Sequence, residues 1–290
     1  MSDLAYLLPW QFSPTACAVF ALTLALYGRG LVALRRASGP PLRWWRPAVF
    51  LLGLALNYAA LQTYFDFLAQ HMFWIHRLQH LILHHIGPAL LVLSAPVPVL
   101  RAGIPAPAWR WLCRPWVRVP LGRLWRALQH PVLAPVLFVG LIYFWLTPSI
   151  HFTAMIDQRR YLLMNWSMLI DGILFWWLML APREAQGASA LGYGMRWIIL
   201  TAVAMPQIAL GAYIALSAKP LFDIYATCGR AWAINPMLDQ QIGGLLTWIP
   251  AAMMSAVGAI VVLHHVLAEE RRADARTARQ TVCSSAGVPA

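Results

Sequence analysis

Charge is scarce in this 290-residue chain and acidic charge scarcest: charged residues make up 11%, with 10 Asp and Glu against 22 Lys and Arg. A surface wetted all round needs more, which excludes an ordinary soluble globular domain. Cysteine is sparse too. Cys17, Cys113, Cys228 and Cys283 are scattered, with no CxxC pair, so no disulfide framework or thiolate zinc site is expected. No internal repeat is visible. No basic residue precedes the first apolar run, so a cleavable signal peptide is not expected and the first span is expected to be retained.

What is present is hydrocarbon. The chain is 60% hydrophobic with a mean hydropathy of +0.61, and its apolar runs exceed what soluble helices need. The pattern predicts an all-α, polytopic transmembrane bundle of seven spans, near 12–34, 47–67, 71–97, 130–148, 161–180, 195–217 and 242–266. Spans two and three are expected to join through a tight turn near Phe67 to Gln70. Residues 1–268 form one membrane domain, and the polar, small-residue tail 269–290 is expected to be disordered and cytoplasmic.

The net charge of +12 does not point to nucleic acid, because the cations alternate between loops. Arg29, Arg35, Arg36, Arg43 and Arg46 follow the first span, and Arg101, Arg110, Arg114, Arg118, Arg123 and Arg126 the third. Arg183 and Arg196 flank the loop after the fifth; Arg271, Arg272, Arg276 and Arg279 follow the last. The opposite loops carry Arg159, Arg160, Lys219 and Arg230. The positive-inside rule then puts the N-terminus outside and the C-terminus inside a bacterial inner membrane. Residues 101–126 read as an irregular segment on the inner membrane surface. Trp109, Trp111, Trp116 and Trp125 suit the headgroup layer, and the arginines suit anionic membrane lipid.

The chemistry concentrates in residues 71–100, which hold five of the nine histidines in a stretch long enough to cross a bilayer. An ionisable side chain inside hydrocarbon faces a partner, a cavity or an ion. His76, His80 and His84 stand four apart and rise along one helix face, about 6 Å per step. His84 and His85 are adjacent and point to different faces. The outer ends of the spans add His151, Met155 and Asp157, then Asp239, with Asp66 closing the second span. Met164 and Met168 are also four apart, and thioether sulfur favours Cu(I). Asp171, mid-span, needs a partner, and Arg77 is the nearest charge in depth. His264 and His265 at the inner end have no comparable cluster, and Pro88 and Pro206 are expected to kink their helices.

These residues resemble the CtaG family of cytochrome c oxidase assembly factors. His76, Gln79, His80, Pro88, Leu90, Leu91 and Pro96 match its HxxQH and PxLLxLxxP patterns. Asp239, Gln240, Gln241, Gly243, Gly244, Trp248 and Pro250 match its DQQxGG, W, P pattern, and His151 a histidine after the fourth span. The resemblance implies a membrane assembly factor, not an enzyme. Such a protein is expected to hold or pass copper, as Cu(I), near the outer face and to assist copper-centre maturation of a haem-copper oxidase subunit, with a periplasmic copper donor as a further expected partner. His76 and His80 are the implied principal ligands and His151 a third, with Met155 or Met168 soft and optional and His84 secondary. Asp239 and Gln79 orient them. One departure stands out: many relatives carry a Glu-His pair early in the fifth span, where this chain has Met164 and Asn165. Two other classes remain open here: a haem-binding electron-transfer protein and a copper or proton-coupled transporter.

Overall fold

Side chains close several of the helix ends in the computed structural model of this chain. It describes residues 11–37, 43–187 and 190–285, with side chains to residue 277, and its described elements are all helical. Helix α1 (Pro14–Arg36) starts where the Ser13 hydroxyl accepts the Ala16 N–H at 3.3 Å, with proline at its first position. Helix α2 (Trp45–Gln62) ends at Thr63, whose hydroxyl donates to the Ala59 carbonyl at 2.7 Å and accepts the Phe65 N–H at 3.3 Å. One residue thus closes α2 and caps α3 (Tyr64–His71) across a 55° bend. The turn expected at Phe67 to Gln70 is therefore helix, and the chain breaks instead at Thr63 and Met72.

Helix α4 (Phe73–Leu81) runs through a π-helical turn (Ile82–Ile86) into α5 (Gly87–Leu93). Pro88 explains the irregularity. It has no N–H for the His84 carbonyl, and that carbonyl instead accepts the Trp176 indole N–H at 3.1 Å. After a 76° bend come α6 (Val97–Gly103), α7 (Ala106–Leu112) and α8 (Pro115–Leu128). The segment read as irregular is thus helical, with its helices started by prolines and no buried residue in α7 or α8. Trp111, Trp116 and Trp125 stay exposed, as an interfacial segment requires.

Helix α9 (Leu133–Trp145) leaves α8 at 71° and is followed by α10 (Pro148–Ile156) and α11 (Gln158–Leu180). The Asp157 carboxylate caps α11, accepting the N–H groups of Arg159 and Arg160. The short α12 (Arg183–Gln186) precedes α13 (Tyr193–Leu216), then α14 (Ile224–Thr227) and α15 (Pro236–Ser285). The tail differs from expectation: residues 269–285 continue α15 as helix instead of disorder. Glu269 accepts the Tyr193 hydroxyl and Arg272 meets Glu184 at 3.4 Å, which ties the first polar turn to the bundle, and alanine and arginine favour helix beyond it.

Four helices are long and apolar enough to cross a membrane, and the three bent pairs raise the number to as many as seven. The chain is a multi-pass membrane protein. Among the four, α11 is the most enclosed and α1 the most exposed to lipid. Close backbone approach fixes the centre. A Cβ on Gly172 of α11 would stand 2.6 Å from the His84 carbonyl, and one on Gly244 of α15 would stand 2.6 Å from the Ala215 nitrogen of α13. Neither site admits a methyl group without moving a backbone, at a cost of about 1–3 kcal/mol.

Candidate metal centre

The cap on α4 positions the site. Met72 is extended, and the carboxylate of Asp239 on α15 accepts the N–H groups of Phe73 at 3.3 Å and Trp74 at 2.9 Å, while Arg230 pairs with it at 3.2 Å. A carboxylate at a helix N-terminus suits the local partial charge. Asp239 therefore orients the helix that carries His76 and His80, and it does so through the backbone, not by bonding an imidazole as its expected role assumed. Further along α15, Gln240 accepts the Leu221 N–H at 2.6 Å and donates to the carbonyls of Ile214 and Lys219.

Three imidazoles from two helices gather one turn below that cap. The His76 ring lies 4.3 Å from that of His80 and 5.0 Å from that of His151 on α10. His76 is fully buried and neither of its ring nitrogens has a hydrogen-bond partner. Its two neighbours are engaged. His151 Nδ1–H donates to the Trp145 carbonyl at 3.1 Å, so its Nε2 accepts the Tyr225 hydroxyl at 3.0 Å. The Arg77 guanidinium can only donate, so His80 Nδ1 accepts from it at 3.3 Å and His80 Nε2–H donates to Asn165 Oδ1 at 3.2 Å. Among the described residues no three His, Cys, Asp or Glu side chains stand in an arrangement that could hold a metal ion.

The other expected site residues fall into separate places. Gln79 faces away from the imidazoles, donating to the Ala60 carbonyl and to Asp66 Oδ1, both at 2.7 Å. His84 Nε2 meets Asp171 Oδ2 at 3.0 Å and its ring stacks on Phe138, with centroids 4.0 Å apart. Asp171 thus pairs with His84, not with Arg77, whose Nε–H donates to Thr247 on α15 at 2.9 Å. Met164 and Met168 are fully buried, and Met155 packs against the same apolar cluster of Phe73, Trp145 and Tyr225. Met168 also lines a cavity of about 10 Å³ with Arg77, His80, His84 and Thr247. That space admits about one water or one monatomic ion and leaves no room for a porphyrin there.

With that geometry in hand, the sequence profile of one family matches residues 25–269: the family described as cytochrome c oxidase caa3 assembly factor (Caa3_CtaG). The chain belongs to this family. The matched region holds the imidazole cluster, the Asp239 cap and the paired glycines of α15. Comparison with curated proteins and with solved structures gives no match. In this caa3 assembly factor family member, the segment from Asp239 to Gly244 serves packing. Asp239 caps α4, Gln240 ties the α13–α14 loop, and Gly243 and Gly244 let α15 lie against Phe73 and Ala215.

Sequence reasoning missed two side chains at the cluster, Tyr225 on His151 and Thr247 on Arg77. Tyr225 had only its place in an outer loop, and no spacing pointed to it. Thr247 enters through Arg77. Asn165, singled out in the sequence as the expected departure from the family pattern, faces His80. That contact gives the sequence departure a physical meaning.

Proposed function

We propose that this assembly factor takes up copper, as Cu(I), at His76, His80 and His151 near the outer face, and passes it to a copper centre of the oxidase it serves. The observation that carries this reading is His76. An imidazole buried with neither nitrogen paired costs about 1–3 kcal/mol per unsatisfied group, and it is retained beside two further imidazoles. Copper here is cargo. Imidazole with thioether suits Cu(I), and Met168 or Met155 supplies the sulfur. As packed, the three rings do not converge on one point, so loading requires them to rotate, exchanging the hydrogen bonds of Tyr225 on His151 and of Arg77 and Asn165 on His80 for the metal. A site that must release its ion needs such competing partners, and no catalytic step is involved.

Asn165→His tests the ligand arrangement. The new imidazole replaces an amide that already faces His80, so it adds a donor where relatives have one. Titration against a Cu(I)-chelating dye should show affinity raised by about tenfold or more. Unchanged affinity would separate the α11 position from the site.

The arginine distribution supports a reading in which this end of the bundle lies outside the cytoplasm. A reporter active only outside the cytoplasm should be active when fused after Pro220, and inactive after Arg110 or at the C-terminus. The reverse pattern would move the imidazole cluster to the cytoplasmic side and end the proposed transfer to an outer-face centre.

A further inference from the structure

A cavity of about 410 Å³ opens beside the start of α1, the end of α2, and the starts of α3 and α11, with Gln62, Asp66, Gln158, Tyr161 and Asn165 in its lining. These segments lie at the same end of the bundle as the imidazole cluster. We propose that this cavity is the entry through which the metal reaches His76 and His80, with Asp66 as the charge that draws the cation in and Asn165 as the barrier at its floor. The inference rests on the copper reading above.

Asp66 is 5% exposed and accepts three hydrogen bonds: from the Tyr161 hydroxyl at 2.7 Å, from Gln79 Nε2 at 2.7 Å and from Gln70 Nε2 at 3.0 Å. All three donors are neutral. Among the described residues no Arg, Lys or His stands within ion-pair distance of it. Its carboxylate is therefore a buried charge with no internal counter-ion, at the wall of a cavity large enough for a partly hydrated cation. Low-dielectric walls focus the field of such a group and raise the local concentration of cations.

The barrier is one side chain thick. Asn165 lines the cavity and its Oδ1 accepts the His80 Nε2–H at 3.2 Å on the other side. Tyr161 bridges in the same way, with its hydroxyl on Asp66 and its ring 6.4 Å from the His76 ring. A rotation of the Asn165 amide joins the cavity to His80 and frees that imidazole at the same moment. Opening and ligand release are then one event, and the unpartnered His76 ring lies 4.3 Å from that of His80.

The test measures the rate and the endpoint of copper loading in the full-length, detergent-purified protein, with Cu(I) delivered from a coloured chelator. Asp66→Asn removes the charge but keeps an oxygen for Tyr161 and Gln79. Leu162→Trp fills the cavity from its side wall without touching an imidazole. Both variants should reach the wild-type copper content, with loading slowed about tenfold. Added salt should slow the wild type and leave Asp66→Asn nearly unchanged. Loading of both variants at the wild-type rate would overturn the entry route while leaving the copper site standing. A lower endpoint in Asp66→Asn, with helicity intact, would make Asp66 part of the binding set and overturn its role as an entry group. Wild-type protein that takes up no copper would remove the copper reading itself, and this inference with it.

Discussion

Deleting this chain should leave the oxidase polypeptides in the membrane while haem-copper oxidase activity falls steeply in cells grown at limiting copper. The family assignment carries the first half of that expectation, since an assembly factor acts on a partner that is made without it. The imidazole cluster carries the second. If the missing step is metal delivery, the recipient still folds and takes haem, and what it lacks is copper. Added copper should then restore part of the activity, because mass action fills a site that the helper normally loads at low free metal. The His76→Ala, His80→Ala double variant should reach the membrane and behave like the deletion. Normal oxidase activity in the deletion strain at limiting copper, with no second copy of the family present, would remove the assembly role from this protein and favour transport or copper tolerance.

The apolar runs were legible because hydrophobic stretches of this length have few alternatives: four helices are long enough to span alone and three bent pairs bring the number to as many as seven, while α15 runs well past its expected range. The breaks were not. Thr63 and Met72 interrupt the second and third spans through capping contacts, and the Met72 break depends on Asp239, more than 160 positions away in sequence. Local pattern holds no record of such a partner. The π-helical turn was half legible: Pro88 announced a disturbance, but the indole that takes the freed carbonyl comes from α11. The surface helices after α6 looked irregular because proline was read as interruption, whereas Pro105, Pro107 and Pro115 sit at the starts of α7 and α8, where a missing N–H costs little, and only Pro120 falls inside α8.

In the candidate site the four-residue spacing on α4 found His76 and His80, and depth found His151. Spacing also nominated His84, and there the geometry departs: the π-helical turn intervenes, and His84 faces Asp171 and Phe138. Asp239 was recognised as a residue that orients the site, but the object it orients is a helix end. Asp66 and Asn165 had each been visible alone, one as a carboxylate at a span end and the other as a substitution in a motif. Only the packing of α3 against α4 and α11 shows them on the wall of one cavity.

The most direct measurement is the copper retained by detergent-purified protein across four single variants. His76→Ala removes the imidazole with no partner but the metal, and His80→Ala removes its nearest neighbour on the same helix face. Each should lose most of its copper, a fall of about tenfold or more in affinity. His264 and His265 lie on α15 well past Asp239 and Thr247, away from the imidazole cluster, and the alanine variant of each should retain copper like the wild type. The account predicts copper without the visible absorbance of haem, lost in the first pair and kept in the second. Equal loss in both pairs, iron in place of copper, or no metal in the wild type would contradict it.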